Sequence, residues 1–133
     1  MKVPAISNLI LPGLLIAGAV QADSVDDLLA HFRGQGAGPF NAGSGQALWE
    51  RSFPSVEGPS RSCASCHSSD PTRRGRHAVT GKAIEPIAPS THAKRLTDRR
   101  QIEKWLNRNC KWTLGRECTP QEKGDILSFL RDQ

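Results

Sequence analysis

Apolar positions recur at helical spacing in four stretches, separated by segments whose Gly and Pro content excludes helix. Val25, Leu28, Leu29 and Phe32 form the first stripe. Ser24 is the predicted N-cap, and Asp26 and Asp27 are favourable in the first turn. Residues 34–45 carry Gly throughout, with Pro39 and Asn41, and read as a loop. A second helix is predicted over about 44–52, with Leu48 and Trp49, and loop returns over 53–62 around Pro54 and Pro59. Residues 70–90 hold few apolar side chains and read as mostly irregular. Thr97 is the predicted cap of a third helix, on which Ile102, Trp105, Leu106 and Asn109 share one face. The last helix has the clearest start: Thr119 as cap, Pro120 at the first position and Glu122 three residues after the cap. Its stripe is Ile126, Leu127, Phe129 and Leu130. No stretch alternates like a strand for long, so the predicted class is all-α.

The N-terminus follows a different logic. Lys2 precedes an apolar run over 9–20, broken by Pro12 and Gly13, and Val20-Gln21-Ala22 puts small residues before a cleavage point. This order of charge, apolar core and small-residue exit predicts a signal peptide over 1–22 and a single domain over 23–133. The run is short for a membrane span, so no stable membrane insertion is expected after cleavage; an uncleaved anchor is the alternative. The formal charge of the whole chain is +5 and falls by one when Lys2 is removed. Such modest basicity argues against a nucleic-acid binder. A domain this small buries a limited core and calls for a staple.

Cys63-Ala64-Ser65-Cys66-His67 supplies one. It is a C-x-x-C-H motif, the pattern of covalent haem attachment. Two thiols with two residues between them can reach both vinyl-derived carbons on one porphyrin edge. The adjacent His67 then binds the iron as the proximal ligand. The alternatives are a redox dithiol and half of a zinc site, but neither a thioredoxin-like βαβ context nor a second zinc-spaced ligand pair is visible. One haem c is therefore expected.

The sixth iron ligand decides between carrier and ligand binder. The only Met is Met1, inside the export segment, so Met ligation is excluded for the mature chain. His31, His77, His92, a Lys, an Asn or no ligand remain. Asn109 is a polar residue on an apolar helix face, which calls for a partner; it is either a ligand or a cap near a helix end. Cys110 and Cys118 remain after haem attachment, and an even remainder in an exported chain implies a disulfide; free thiols or an intermolecular bridge are the alternatives.

Several ordered motifs carry a resemblance. Ser62 to His67, Thr80-Gly81-Lys82, Pro86-Ile87-Ala88-Pro89-Ser90, Glu103-Lys104-Trp105-Leu106, Arg108-Asn109-Cys110 and Gly115 to Pro120 together resemble the sphaeroides haem protein (SHP) family of oxygen-binding cytochromes c. The resemblance runs from about residue 43 to the C-terminus. It implies a class I cytochrome c-like fold and Asn109 as sixth ligand of ferric haem. Release on reduction would then open the iron to small gases: O2, NO or CO. It also implies Trp105 as part of the site wall and a dihaem cytochrome c or similar donor as redox partner in the periplasm. The related cytochrome c″ carries a His at the equivalent place. His77 and His92 match no motif of either relative and stand as competitors for iron.

Arg73, Arg74 and Arg76 form either a solvated face or a docking patch for an acidic redox partner. Three functions remain: a gas-binding cytochrome with possible oxygen- or nitric-oxide-linked redox activity, an electron carrier with a His sixth ligand, and a haem subunit of a redox enzyme complex.

Overall fold

Each of the four longer helices begins where a side-chain oxygen accepts from otherwise free backbone amides. The computed structural model describes residues 23–133, so the export segment predicted at 1–22 lies outside the described residues. Helix α1 spans Ser24–Gly34, α2 Ala42–Glu50, α3 the single turn Ala64–His67, α4 Arg99–Leu114 and α5 Pro120–Arg131. Asp23, not Ser24, caps α1, accepting from the Val25 and Asp26 amides at 2.9 and 2.8 Å. Asp98, not Thr97, caps α4. The two expected caps instead join the ends of these helices, since the Ser24 hydroxyl donates to the Thr97 carbonyl at 2.7 Å. Asn41 caps α2, which starts at Ala42, two residues earlier than predicted. At α5 the expected capping box forms, with Thr119 and Glu122 each accepting from the other's amide.

The region read as irregular contains a two-stranded antiparallel pair, β1 (Gly75–Arg76) and β2 (Ala83–Ile84), with Gly75 opposite Ile84. Two residues per strand are too few to show alternation in the sequence. Otherwise the all-α expectation holds. Among the described residues no helix is long and apolar enough to cross a membrane.

Two apolar clusters form the core. Val25, Leu28, Leu29 and Phe32 of α1 pack with Ile102 and Leu127. Leu48 and Trp49 of α2 pack with Cys110, Cys118, Ile126, Phe129 and Leu130. Helix α5 contributes to both, and its residues from Gly124 to Leu130 are all buried. Close approach requires missing side chains: a Cβ on Gly45 of α2 would collide with the Asp125 carbonyl of α5, and one on Gly124 with the Phe40 ring.

Glu122 ties the start of α5 to the preceding loop. Its carboxylate accepts from both Arg116 terminal nitrogens at 2.8 and 2.7 Å, and from the Thr119 amide at 2.8 Å. The Arg116 hydrogen bonds chiefly hold its pKa at about 2, against an ordinary 4.5, although partial burial opposes them. A depressed carboxyl stabilises the fold fully above the unfolded value and loses that contribution as pH falls through the folded one. Glu122→Gln should therefore be less stable at neutral pH. It should also lose less stability than the parent on acidification from pH 4.5 to 2, as read by urea midpoints at each pH.

Candidate functional site

The haem motif occupies one helical turn with constraints on both sides. The Ser65 hydroxyl donates to the Ser62 carbonyl at 2.6 Å, and the Ser65 amide donates to Ser62 Oγ at 3.0 Å, closing the turn from its N-terminal side. Ser68 ends it with a positive φ of 73°. The indole N–H of Trp49 donates to the Ser68 carbonyl at 2.9 Å, so α2 anchors the end of the motif.

The strand pair covers the motif's other flank. A Cβ on Gly75 would run into the Cys66 carbonyl, so only glycine permits this approach. The Ala78 amide lies 3.3 Å from Cys66 Sγ, and Cys66 is buried while Cys63 is half-buried.

Cys63, Cys66 and His67 line a cavity of about 1010 Å3, bounded also by Trp49, Ile84, Ile87, α4 and the apolar side of α5. That is at the upper end of the ~300–1,000 Å3 typical of ligand sites, and suits one large apolar body. The Trp49 and Trp105 rings lie 5.5 and 6.4 Å from the His67 ring. His67 Nδ1 is buried without a hydrogen-bond partner. Burial first, then the charge of Arg95 and the neighbouring His77, push the His67 pKa down to about 4. The imidazole is thus kept neutral, the form that ligates a metal. Lys94, Arg95, Lys104, Arg108 and Lys111 also border the cavity and supply cations for a group that carries carboxylates. The residues therefore fit a haem.

The competing uses of the cysteine pair fit poorly. Burial raises the Cys63 thiol to about 11, opposite to the lowered pKa of a redox-active C-x-x-C cysteine. Among the described residues no group of three or more His, Cys, Asp or Glu could hold a metal ion, which leaves the zinc alternative without a ligand set.

Asn109 and Trp105 both line the cavity. Asn109 is not a cap. Helix α4 continues to Leu114 and ends at Gly115 in the left-handed conformation, so Asn109 sits well inside it. Cys110 is disulfide-bonded to Cys118, which ties α4 to the segment leading into α5.

The histidines separate. His31 is exposed on α1 beside Gln35, and neither it nor His92 lines the cavity. His77 does line it. Arg74 pairs with Glu85 at 2.6 Å and Arg76 donates to the Gly81 carbonyl, so two of the three motif-following arginines serve their own hairpin. Arg73 is exposed.

Trp49, Arg95 and Trp112 are site residues that the sequence analysis did not identify. Trp112 was accessible to it, one turn beyond Asn109 on the same helix face. Trp49 read only as core. Arg95 lies outside any helix, where its Nε donates to the Pro86 carbonyl at 2.9 Å, and no local pattern marks it.

Residues 35–130 match the family described as a domain of unknown function (DUF1924). The chain is 40% identical to the cytochrome c-type protein SHP of Cereibacter sphaeroides, over 94% of its own length and 97% of that protein. It is 37% identical over 86 residues to cytochrome c″ of Methylophilus methylotrophus, covering 65% of this chain and 60% of that protein. Among solved structures it resembles oxidized SHP, described as an oxygen-binding cytochrome c. The TM-score is 0.75, at 40% identity, covering 85% of this chain and 100% of that one. Oxidized cytochrome c″ superposes with a TM-score of 0.73 at 30% identity, covering 83% of this chain and 94% of that one. The helical cytochrome c fold expected from the motifs is thus the fold observed.

The Cys110–Cys118 bridge closes a short loop, with a sequence separation of 8. Chain-entropy arguments assign such a loop about 2.5 kcal/mol. Replacing both cysteines by Ala should lower stability by roughly that amount in denaturant titration. Thiol titration of the unfolded, unreduced parent should find neither residue free.

Proposed function

Because the chain belongs to the family described as a domain of unknown function (DUF1924) and to the SHP family of c-type cytochromes, which carry haem c, we propose that it is an exported gas-binding cytochrome with a redox-gated Asn109 ligand. Cys63 and Cys66 attach the haem through thioethers, and His67 is the proximal ligand. When bound, the group supplies an iron that exchanges one electron and accepts a sixth ligand. SHP is described as oxygen-binding, and that property is carried over here with O2 and NO as the physiological candidates.

The observation that carries this reading is the position of Asn109, inside α4, on the cavity wall and directly before the bridged Cys110. Its amide oxygen is a hard, weakly basic donor. It would hold a ferric ion better than a ferrous one, so reduction would release it from a haem iron bound here. The disulfide limits backbone movement next to it, which confines the exchange to the side chain. Trp105, one turn earlier, forms an apolar wall that keeps bulk water from competing for the same position.

Export to the periplasm fits both the N-terminal segment and a disulfide. A dihaem cytochrome c is the proposed class of donor, steered by the exposed cations near the cavity. A bis-His electron carrier is the second reading, since His77 also lines the cavity. Activity as a haem subunit of a larger redox enzyme would show as a stable co-purifying partner.

Two measurements test the proposal. The mature protein should weigh one haem more than its polypeptide, and acid–acetone should leave that haem attached; extractable haem would exclude thioether attachment at Cys63 and Cys66. Asn109→Ala should convert the ferric spectrum to a five-coordinate or water-ligated form and leave the ferrous spectrum nearly unchanged. A ferric spectrum that is unaffected by Asn109→Ala but altered by His77→Ala would establish the bis-His carrier instead.

A further inference from the structure

His77 reaches the cavity with its chemistry already committed. Its backbone amide donates to the Lys82 carbonyl at 2.8 Å, and its carbonyl accepts from the Gly81 amide at 2.9 Å, so the residue is fixed in a tight loop. Its side-chain Nδ1 lies 3.2 Å from both the Val79 and the Thr80 amide nitrogens and accepts from them. A ring nitrogen that accepts cannot carry the proton, so the neutral ring carries it on Nε2. Iron ligation through Nε2 would require removing that proton or turning both amides away. Donation from Nε2 requires neither.

The ring is also aimed by packing. It lies 6.0 Å from the Trp112 ring, whose face is covered by the Arg61 guanidinium at 4.1 Å. Arg61 in turn donates to the Trp112 carbonyl at 3.3 Å. Trp105, Asn109 and Trp112 stand at i, i+4 and i+7 on α4 and all line the cavity. The contacts of Trp112 with Arg61 and His77 therefore hold the ring at the cavity that Asn109 also lines.

We propose that His77 is not an iron ligand but a hydrogen-bond donor to the gas that replaces Asn109, and that it selects dioxygen over carbon monoxide. The inference rests on Asn109 being the displaced ligand. Dioxygen gathers negative charge on its outer atom when it binds ferrous haem, whereas carbon monoxide gathers little. A fixed N–H beside the ligand therefore favours the first. Trp112 and Arg61 are positioning residues that hold the ring in place.

The test uses the intact haem protein. His77→Phe keeps a ring against Trp112 and removes both nitrogens. In the ferrous carbon monoxide complex its infrared C–O stretch should move to higher frequency, and dioxygen affinity relative to carbon monoxide should fall about tenfold, the value of one hydrogen bond. His77→Gln, which retains an N–H, should recover part of both effects. His77→Thr can accept from the Val79 amide as a short turn residue, and gives the same readout if the Phe variant does not fold. An unchanged C–O stretch and gas ratio, with the parent ferric spectrum retained, would overturn the role of His77 and leave the Asn109 assignment standing. Loss of the ferric sixth ligand in His77→Phe or His77→Thr would make His77 the ligand and overturn both.

Discussion

Helix α5 must be apolar on two sides at once, and the placement of the other helices follows from that requirement. Leu127 joins the cluster of α1 and Ile102, while Ile126, Phe129 and Leu130 join that of α2 and the disulfide. A twelve-residue helix buried from Gly124 to Leu130 has little surface left for water. Its partners must then come close, as the side-chain-free contact of Gly45 with the Asp125 backbone shows. Removing a side chain such as Leu127 would cost about 2–5 kcal/mol, a large share of the stability of a domain this small.

Helix α4 gains its precision from the same arrangement. Ile102 faces the first cluster and Cys110 the second, so the helix is held at two points along its length. The face between them turns Trp105, Asn109 and Trp112 toward the cavity. An amide set among tryptophans has few competitors for its hydrogen-bonding and ligating capacity, and a rigid helix keeps it in register. On the other flank, Trp49 couples α2 to the end of the haem motif through the Ser68 carbonyl.

The elements legible in the sequence were those governed by local rules. The stripe of Val25, Leu28, Leu29 and Phe32 is buried as its spacing implied, and the Thr119–Glu122 capping box forms as written. The C-x-x-C-H motif and the Asn109 helix face were legible because each is contiguous or periodic. The caps of α1 and α4 each moved by one residue, because adjacent Asp and Ser or Thr offer equivalent oxygens and tertiary contact decides between them. Strands of two residues, the reach of Arg95 to Pro86 and the stacking of Arg61 on Trp112 depend on segments distant in sequence. For those, neither propensity nor period carries information.

The cover over Cys66 bears on the order of events during biogenesis. In the folded chain Cys66 is 8% exposed, its sulfur lies 3.3 Å from the Ala78 amide, and its carbonyl abuts a strand pair that only a glycine lets approach. A maturation enzyme that joins the proposed thioether needs that sulfur in the open. If Cys66 carries the proposed thioether, the bond would form most readily before residues 75–84 fold against this turn. Closure of the loop that carries His77 to the cavity would then follow covalent loading rather than precede it.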